Sequence, residues 1–407
     1  MTSAGRCWPF WKPIDSRPLP LSWRKSHFPV SYLHHTAPTG GCMTGFVPRP
    51  QILETPPAYH GALDFAELEQ LGLNPDDIVD FSVNSNPFGP SPRVRQAIAA
   101  VPPDRYPDRE SLALRRALAG RLHLPPDHLV TGNGAAELLW LAAFAFLRPG
   151  DPVLILAPTF GEYHRVSSLV GADIHTVRAR PEDDFAFNPR LVQSALARLR
   201  PRLVFLCNPN NPTGRLLPPD TIAAWVQASP HTLFVVDEAY LAFAASASSV
   251  LSLKADNVLV IRSMTKDYAL AGLRLAYAAS TNPSLVAAVD RVRPAWNVSA
   301  VAQAAGLAAL ADEAYLHRCL VDLQTAAQAL KSGLSALGLP VFPSDVHFFL
   351  VRVGSAPAFR QALLRQNLLV RDATSFGLPQ FVRIAARRPQ DNRRLLDAVR
   401  GLQIPAQ

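Results

Sequence analysis

Lysine is scarce in this chain. Of 40 basic residues only five are lysines: Lys12, Lys25, Lys254, Lys266 and Lys331. Arginine supplies the rest. A chain that avoids lysine yet places Lys266 directly after Ser263-Met264-Thr265 needs an amine there, because a guanidinium stays protonated and cannot condense with a carbonyl. Cysteine is sparser still. Cys7, Cys42, Cys207 and Cys319 form no Cys-x-x-Cys pair and show no zinc-ligand spacing. That excludes a disulfide-stapled scaffold and a zinc module, and unpaired thiols suit a reducing compartment, so the cytoplasm is the expected location. Long hydrophobic runs are missing as well. No run reaches the ~20 apolar residues that span a bilayer; the longest, Leu138 to Leu147, reads as a buried helix.

What is present describes a globular protein. Hydrophobic residues make up 48% and charged residues 18% of 407 positions, enough for a large core and about two to three domains. The net charge of +8 is partly terminal: residues 1–42 hold five basic residues and one acidic residue, leaving 35 basic against 31 acidic. No dense basic stripe with interleaved aromatics follows, which argues against nucleic-acid binding. Residues 1–58 are rich in Pro, Trp, His and Arg and carry no sustained period, so they read as an irregular extension. Two explanations compete: a targeting segment, or a start assigned too far upstream with Met43 the true one. The second is favoured, because the segment has neither an apolar h-region nor a clean amphipathic helix.

Beyond residue 62 helical and strand patterns alternate. Leu203–Leu206, Leu233–Val236 and Val258–Ile261 are short, almost wholly apolar strands separated by helical segments. Such runs are expected where helices cover both faces of a sheet, giving an α/β fold with a mostly parallel sheet. After residue 298, Ala/Leu-rich helices give way to strands at 348–353 and 382–385, as in a smaller α+β domain.

An open parallel sheet delivers reactive residues at the carboxyl ends of its strands. Three such ends carry polar clusters: Asn208-Pro209-Asn210-Asn211-Pro212-Thr213-Gly214, Asp237-Glu238-Ala239-Tyr240, and Arg262-Ser263-Met264-Thr265-Lys266. Together they supply an amide, a carboxylate, a phenol and an amine, the groups needed to hold a pyridine aldehyde. Each alone has an ordinary explanation as a turn, a cap or a solvated lysine; the order and spacing of all three do not.

These motifs, with Gly272-Leu273-Arg274, resemble those of pyridoxal-phosphate enzymes of the class I/II aminotransferase superfamily, fold type I, over roughly residues 59–405. The resemblance implies a division into residues 59–100 (N-terminal part of the small domain), 101–297 (large cofactor-binding domain) and 298–407 (C-terminal part of the small domain). It also implies roles. Lys266 condenses with the cofactor aldehyde and shuttles protons. Asp237 pairs with the pyridine nitrogen. Asn211 and Tyr240 bond the ring oxygen, and Phe160 stacks on the ring. The amides of Ala135 and Ala136, with Ser263, Thr265 and Arg274, receive the phosphate. Tyr106 matches a tyrosine that reaches the neighbouring subunit's phosphate, implying a homodimer with shared sites. Arg383 matches a carboxylate-binding arginine, with Arg371 a second anion-site candidate and His60 a substrate-binding one.

Two branches of that superfamily fit. Histidinol-phosphate aminotransferases share the Asn-Pro-Thr-Gly, Ser-x-x-Lys and Leu-Arg elements. Threonine-phosphate decarboxylases, of cobalamin biosynthesis, share these and are also similar at Tyr59-His60-Gly61-Ala62 and at Asp80-Phe81-Ser82-Val83-Asn84-Ser85-Asn86-Pro87. Ala62 in place of a second glycine and His347 in place of asparagine depart from the pattern. The expectation is decarboxylation of L-threonine O-3-phosphate to an aminopropanol phosphate, with transamination of a phosphorylated amino alcohol as the alternative. A non-catalytic relation, the equivalent domain of a transcription regulator, would need a winged-helix segment of about 60–100 residues, for which residues 1–58 are too short and irregular.

Overall fold

The computed structural model describes residues 46–402. Twelve strands lie within them: β1 (Val79–Asp80), β2 (Leu129–Gly132), β3 (Pro152–Ala157), β4 (Asp173–Arg178), β5 (Leu203–Cys207), β6 (Leu233–Asp237), β7 (Val258–Ser263), β8 (Ala276–Ala279), β9 (Phe348–Arg352), β10 (Leu368–Leu369), β11 (Arg371–Asp372) and β12 (Phe381–Ala385). Seven form the main sheet in the order β2-β8-β7-β6-β5-β3-β4. Pairing is parallel from β7 through to β4, whereas β8 runs antiparallel to both of its neighbours. The carboxyl ends of β2, β3, β5, β6 and β7 therefore share one edge, and the starting end of β8 joins them there.

Alternation explains the uniformly apolar strands. Val153, Ile155, Phe205, Val235 and Ile261 face one apolar cluster. Leu154, Leu156, Val204, Phe234 and Val260 face another on the opposite side. With both faces covered, neither set is free to be polar. The buried helix Ala135–Phe146 follows β2 at the edge where reactive groups collect. β11, β12 and β9 make a separate antiparallel sheet, and β1 pairs with β10, which ties the early chain to the late chain. Among the described residues no helix is long and apolar enough to cross a membrane.

The extension expected to be irregular through residue 58 is not wholly so. Its described part contains a short helix, Pro50–Glu54, with proline at the first helical position, where no backbone N–H is required. This helix packs on the helix Gly161–Val170, a long-range support invisible to local periodicity. The rest of that reading, including Met43 as a start, lies outside the described residues.

Candidate active site

Asp237 ends β6 and is buried. The Tyr163 hydroxyl donates to its Oδ2 at 2.8 Å and the Ala239 amide to its Oδ1 at 3.0 Å. Tyr163 is held flat against Phe205, centroids 5.2 Å apart and planes 4° from parallel. Burial raises the Asp237 carboxyl above the usual carboxylate range, against the lowering effect of both hydrogen bonds and of Lys266. A buried carboxylate in that state is stabilised by a further cationic donor, as a protonated pyridine nitrogen would be.

Lys266 lies just past β7. Burial, with the charges of Arg383 and Arg274, pulls its ammonium down to about 8, while Asp237 opposes. Its backbone carbonyl accepts from the Asn86 amide at 2.9 Å, and Asn86 Nδ2 donates to the Asp267 carbonyl at 3.0 Å. The run from Asp80 to Pro87 thus lines the site. Asn84 is 2% exposed with neither amide atom hydrogen-bonded, and it neighbours the buried Tyr240 phenol. Burial raises that phenol's pKa.

The end expected to receive the phosphate is built around a glycine. Gly134 has φ +83° before the helix Ala135–Phe146, and a Cβ there would lie 2.5 Å from Arg274 Nη2. The guanidinium occupies the space a side chain would fill, next to the free first-turn amides of Ala135 and Ala136. Arg274 itself has φ +59°, a left-handed conformation, and its Nη1 donates to the Ala271 carbonyl at 3.2 Å. Ser263 and Thr265 hydroxyls lie 2.7 Å apart, both buried. Helix amides, two hydroxyls and one arginine fit a phosphate monoester.

Arg383, on β12, is buried over the Phe348 ring at 5.6 Å. It donates to Asn211 Oδ1 and to the Ser82 carbonyl, while its Nε has no partner. Asn211, expected on a ring oxygen, is therefore joined to the arginine expected to take a carboxylate. Burial brings Arg383 down to about 10, with Tyr240 opposing and Arg371 reinforcing, so it remains cationic at neutral pH.

Two candidates stand apart from this cluster. Arg371 is opposite Arg383 in the β11–β12 register, but it donates to the Tyr59 carbonyl at 2.9 Å and Ser375 Oγ at 2.6 Å. It lines a cleft of about 750 Å³ with Tyr59, Arg360 and Thr374. Tyr106 is 81% exposed, against Trp296 at 4.8 Å, and meets none of the ring-binding groups of its own chain. Phe160 and His60 do come together, with ring centroids 5.2 Å apart. His347 is buried beside Phe243 with both ring nitrogens unpartnered; burial, then Arg383 and Lys266, lowers it to about 3, so it is neutral.

Sequence reasoning missed Tyr163 and Glu162. The usable signal for Tyr163 was its place three residues after Phe160 at a helix start, where i and i+3 share a face. Glu162 offered no comparable signal.

Residues 76–399 match the family described as aminotransferase class I and II. The histidinol-phosphate aminotransferase of Symbiobacterium thermophilum is 37% identical over 341 residues, covering 82% of this chain and 92% of that protein. The solved structure of histidinol-phosphate aminotransferase from Sinorhizobium meliloti in complex with pyridoxal-5'-phosphate superposes with a TM-score of 0.78 at 27% identity, covering 88% of this chain and 97% of that one. L-threonine-O-3-phosphate decarboxylase from Porphyromonas gingivalis superposes with a TM-score of 0.70 at 26% identity, covering 79% and 98%. The chain belongs to the class I and II aminotransferases, enzymes of fold type I that work with pyridoxal phosphate.

Proposed function

We propose that this enzyme transfers the amino group of a small phosphorylated amine, histidinol phosphate, to 2-oxoglutarate. The observation that carries the reading is the 37% identity to a histidinol-phosphate aminotransferase over nine-tenths of that protein's length. It reverses the ranking reached from motifs alone, in which decarboxylation came first.

Bound pyridoxal phosphate supplies an electron sink for the bond broken at the substrate Cα. The protein does the rest. Asp237, fixed by Tyr163 and Ala239, holds the proton on the ring nitrogen. Lys266 Nζ, with its ammonium at about 8, is available as a base near neutral pH and moves the Cα proton. Arg383 binds the carboxylate of the oxoacid, oriented by Asn211 and the Ser82 carbonyl. Arg274 and the helix start, with Gly134 leaving them room, would hold the cofactor phosphate and so keep the ring near Lys266. We further propose that two copies share their sites, each lending Tyr106 to the other.

One observation favours decarboxylation as a second reading. The segments that resemble threonine-phosphate decarboxylases, residues 59–62 and 80–87, both reach the site: His60 packs on Phe160, and Asn86 bonds the Lys266 carbonyl. The assay is direct. Purified enzyme receives histidinol phosphate with 2-oxoglutarate, or L-threonine O-3-phosphate alone. Glutamate is the expected product; carbon dioxide without glutamate would overturn the proposal.

A further inference from the structure

Residues 59–62 form a strap whose anchors lie on different elements. The Tyr59 carbonyl is held by Arg371 on β11. His60 Nε2 donates to Glu162 Oε1, 2.9 Å away, on the helix that follows Phe160. At Gly61 a Cβ would come within 2.4 Å of the Ser82 carbonyl oxygen, and the Ala62 amide donates to Ser82 Oγ at 3.0 Å. That Ser82 carbonyl also receives Arg383. The strap thus touches both the wall that holds the substrate arginine and the aromatic beside the ring.

Its contact on the large-sheet side depends on Glu162. The Glu162 side chain is 6% exposed, whereas that of His60 is 45% exposed. Trp140 Nε1 donates to Glu162 Oε2 at 2.8 Å, and Arg165, stacked over Trp140 at 5.4 Å, lies 3.5 Å from Oε1. Burial pushes the Glu162 carboxyl up, but the bonds from His60 and Trp140 and the charge of Arg165 outweigh it, leaving it below the usual range. Its place in the first turn of Gly161–Val170 also favours a negative charge. Glu162 is a fixed anion with several supports; His60 has Glu162 and the face of Phe160.

We infer that Glu162 is a positioning residue for His60, fixing the imidazolium over Phe160 through Nε2–H so that Nδ1–H is left to donate to the anionic end of the substrate. An imidazolium carries two N–H donors, so engaging one with a fixed carboxylate aims the other in a defined direction; a neutral ring bound in the same way would offer the anion only a lone pair. The inference rests on the reading that the substrate is a phosphorylated amine, and it holds for either reaction on such a substrate.

The test compares Glu162→Gln, His60→Gln and the double variant as cofactor-loaded enzymes. Each single change is expected to raise KM for histidinol phosphate about tenfold, the loss of one charge-assisted contact, with a much smaller fall in kcat. KM for 2-oxoglutarate stays within about twofold, and the double variant matches the worse single one, because both changes remove one contact. Equal rises in both KM values, additive effects, or a wild-type KM in His60→Gln would overturn the inference. If Glu162→Gln does not fold, Trp140→Phe removes one support of the carboxylate and must raise the same KM alone; no rise overturns it. Wild-type enzyme that takes histidinol and histidinol phosphate with equal KM would overturn the phosphorylated-amine reading instead. The non-additivity of the two variants toward the accepted amine then decides the role of Glu162 separately.

Discussion

Lys266 sits where its own charge is disfavoured. With burial lowering the folded-state pKa to about 8, the free amine is the minor form below that pH and the major form above it. Enzyme stripped of cofactor should therefore recapture pyridoxal phosphate at a rate that climbs about tenfold per pH unit from pH 6 and levels off above about 8. Stopped-flow absorbance would show it; a flat profile would contradict the shift. Lys266→Ala should lose the covalent cofactor adduct seen by mass spectrometry after borohydride reduction, and turnover should fall by roughly 10²–10⁴-fold. Tyr163→Phe removes one hydrogen bond to a buried carboxylate, worth about 1.5–3 kcal/mol, so kcat should drop about tenfold or more while the circular dichroism spectrum stays native. Lys266, Asp237 and Asn211 could be read from sequence because each stands at, or within four residues after, the end of an apolar strand. Tyr163 could be read only through its spacing from Phe160, and Glu162 could not. Their partners, Asp237 and His60, lie 74 and 102 residues away, and nothing local announces such pairings.

At the scale of elements, the turn from β2 into its helix is the most sensitive join. Gly134 combines φ +83° with ψ 160°, a region essentially closed to other residues at a cost of about 1–3 kcal/mol. Gly134→Ala should weaken cofactor affinity about tenfold or more by displacing Arg274, measured as the cofactor dissociation constant of the folded protein. The elements themselves were unequally legible. β5, β6 and β7 are central, covered on both faces, and so almost wholly apolar. β4 (Asp-Ile-His-Thr-Val-Arg) lies at the sheet edge with partly exposed side chains and lacks that signature. β8 (Ala-Tyr-Ala-Ala) has little strand propensity of its own and is made a strand by pairing on both sides.

For the whole molecule, the exposed Tyr106 and the half-exposed Trp296 beside it leave an aromatic surface with no partner in its own chain among the described residues. If a second copy covers it and receives Tyr106, two inactive variants should complement each other. Lys266→Ala and Tyr106→Ala enzymes, unfolded together and refolded, would form mixed dimers holding one intact site, restoring about a quarter of wild-type activity. No recovery would exclude a shared site. The reversal between β7 and β8 has a consequence within each copy. The chain leaves the sheet edge at Ser263 and re-enters it at Ala276, directly opposite in the ladder. Lys266 lies on the outgoing arm and Arg274 on the returning one. Amine and guanidinium are thus the jaws of a caliper closed at its base by the Ser263–Ala276 pair. A pyridoxal analogue with one extra carbon between ring and phosphate would be rejected on length alone, although every contact it needs would still be there.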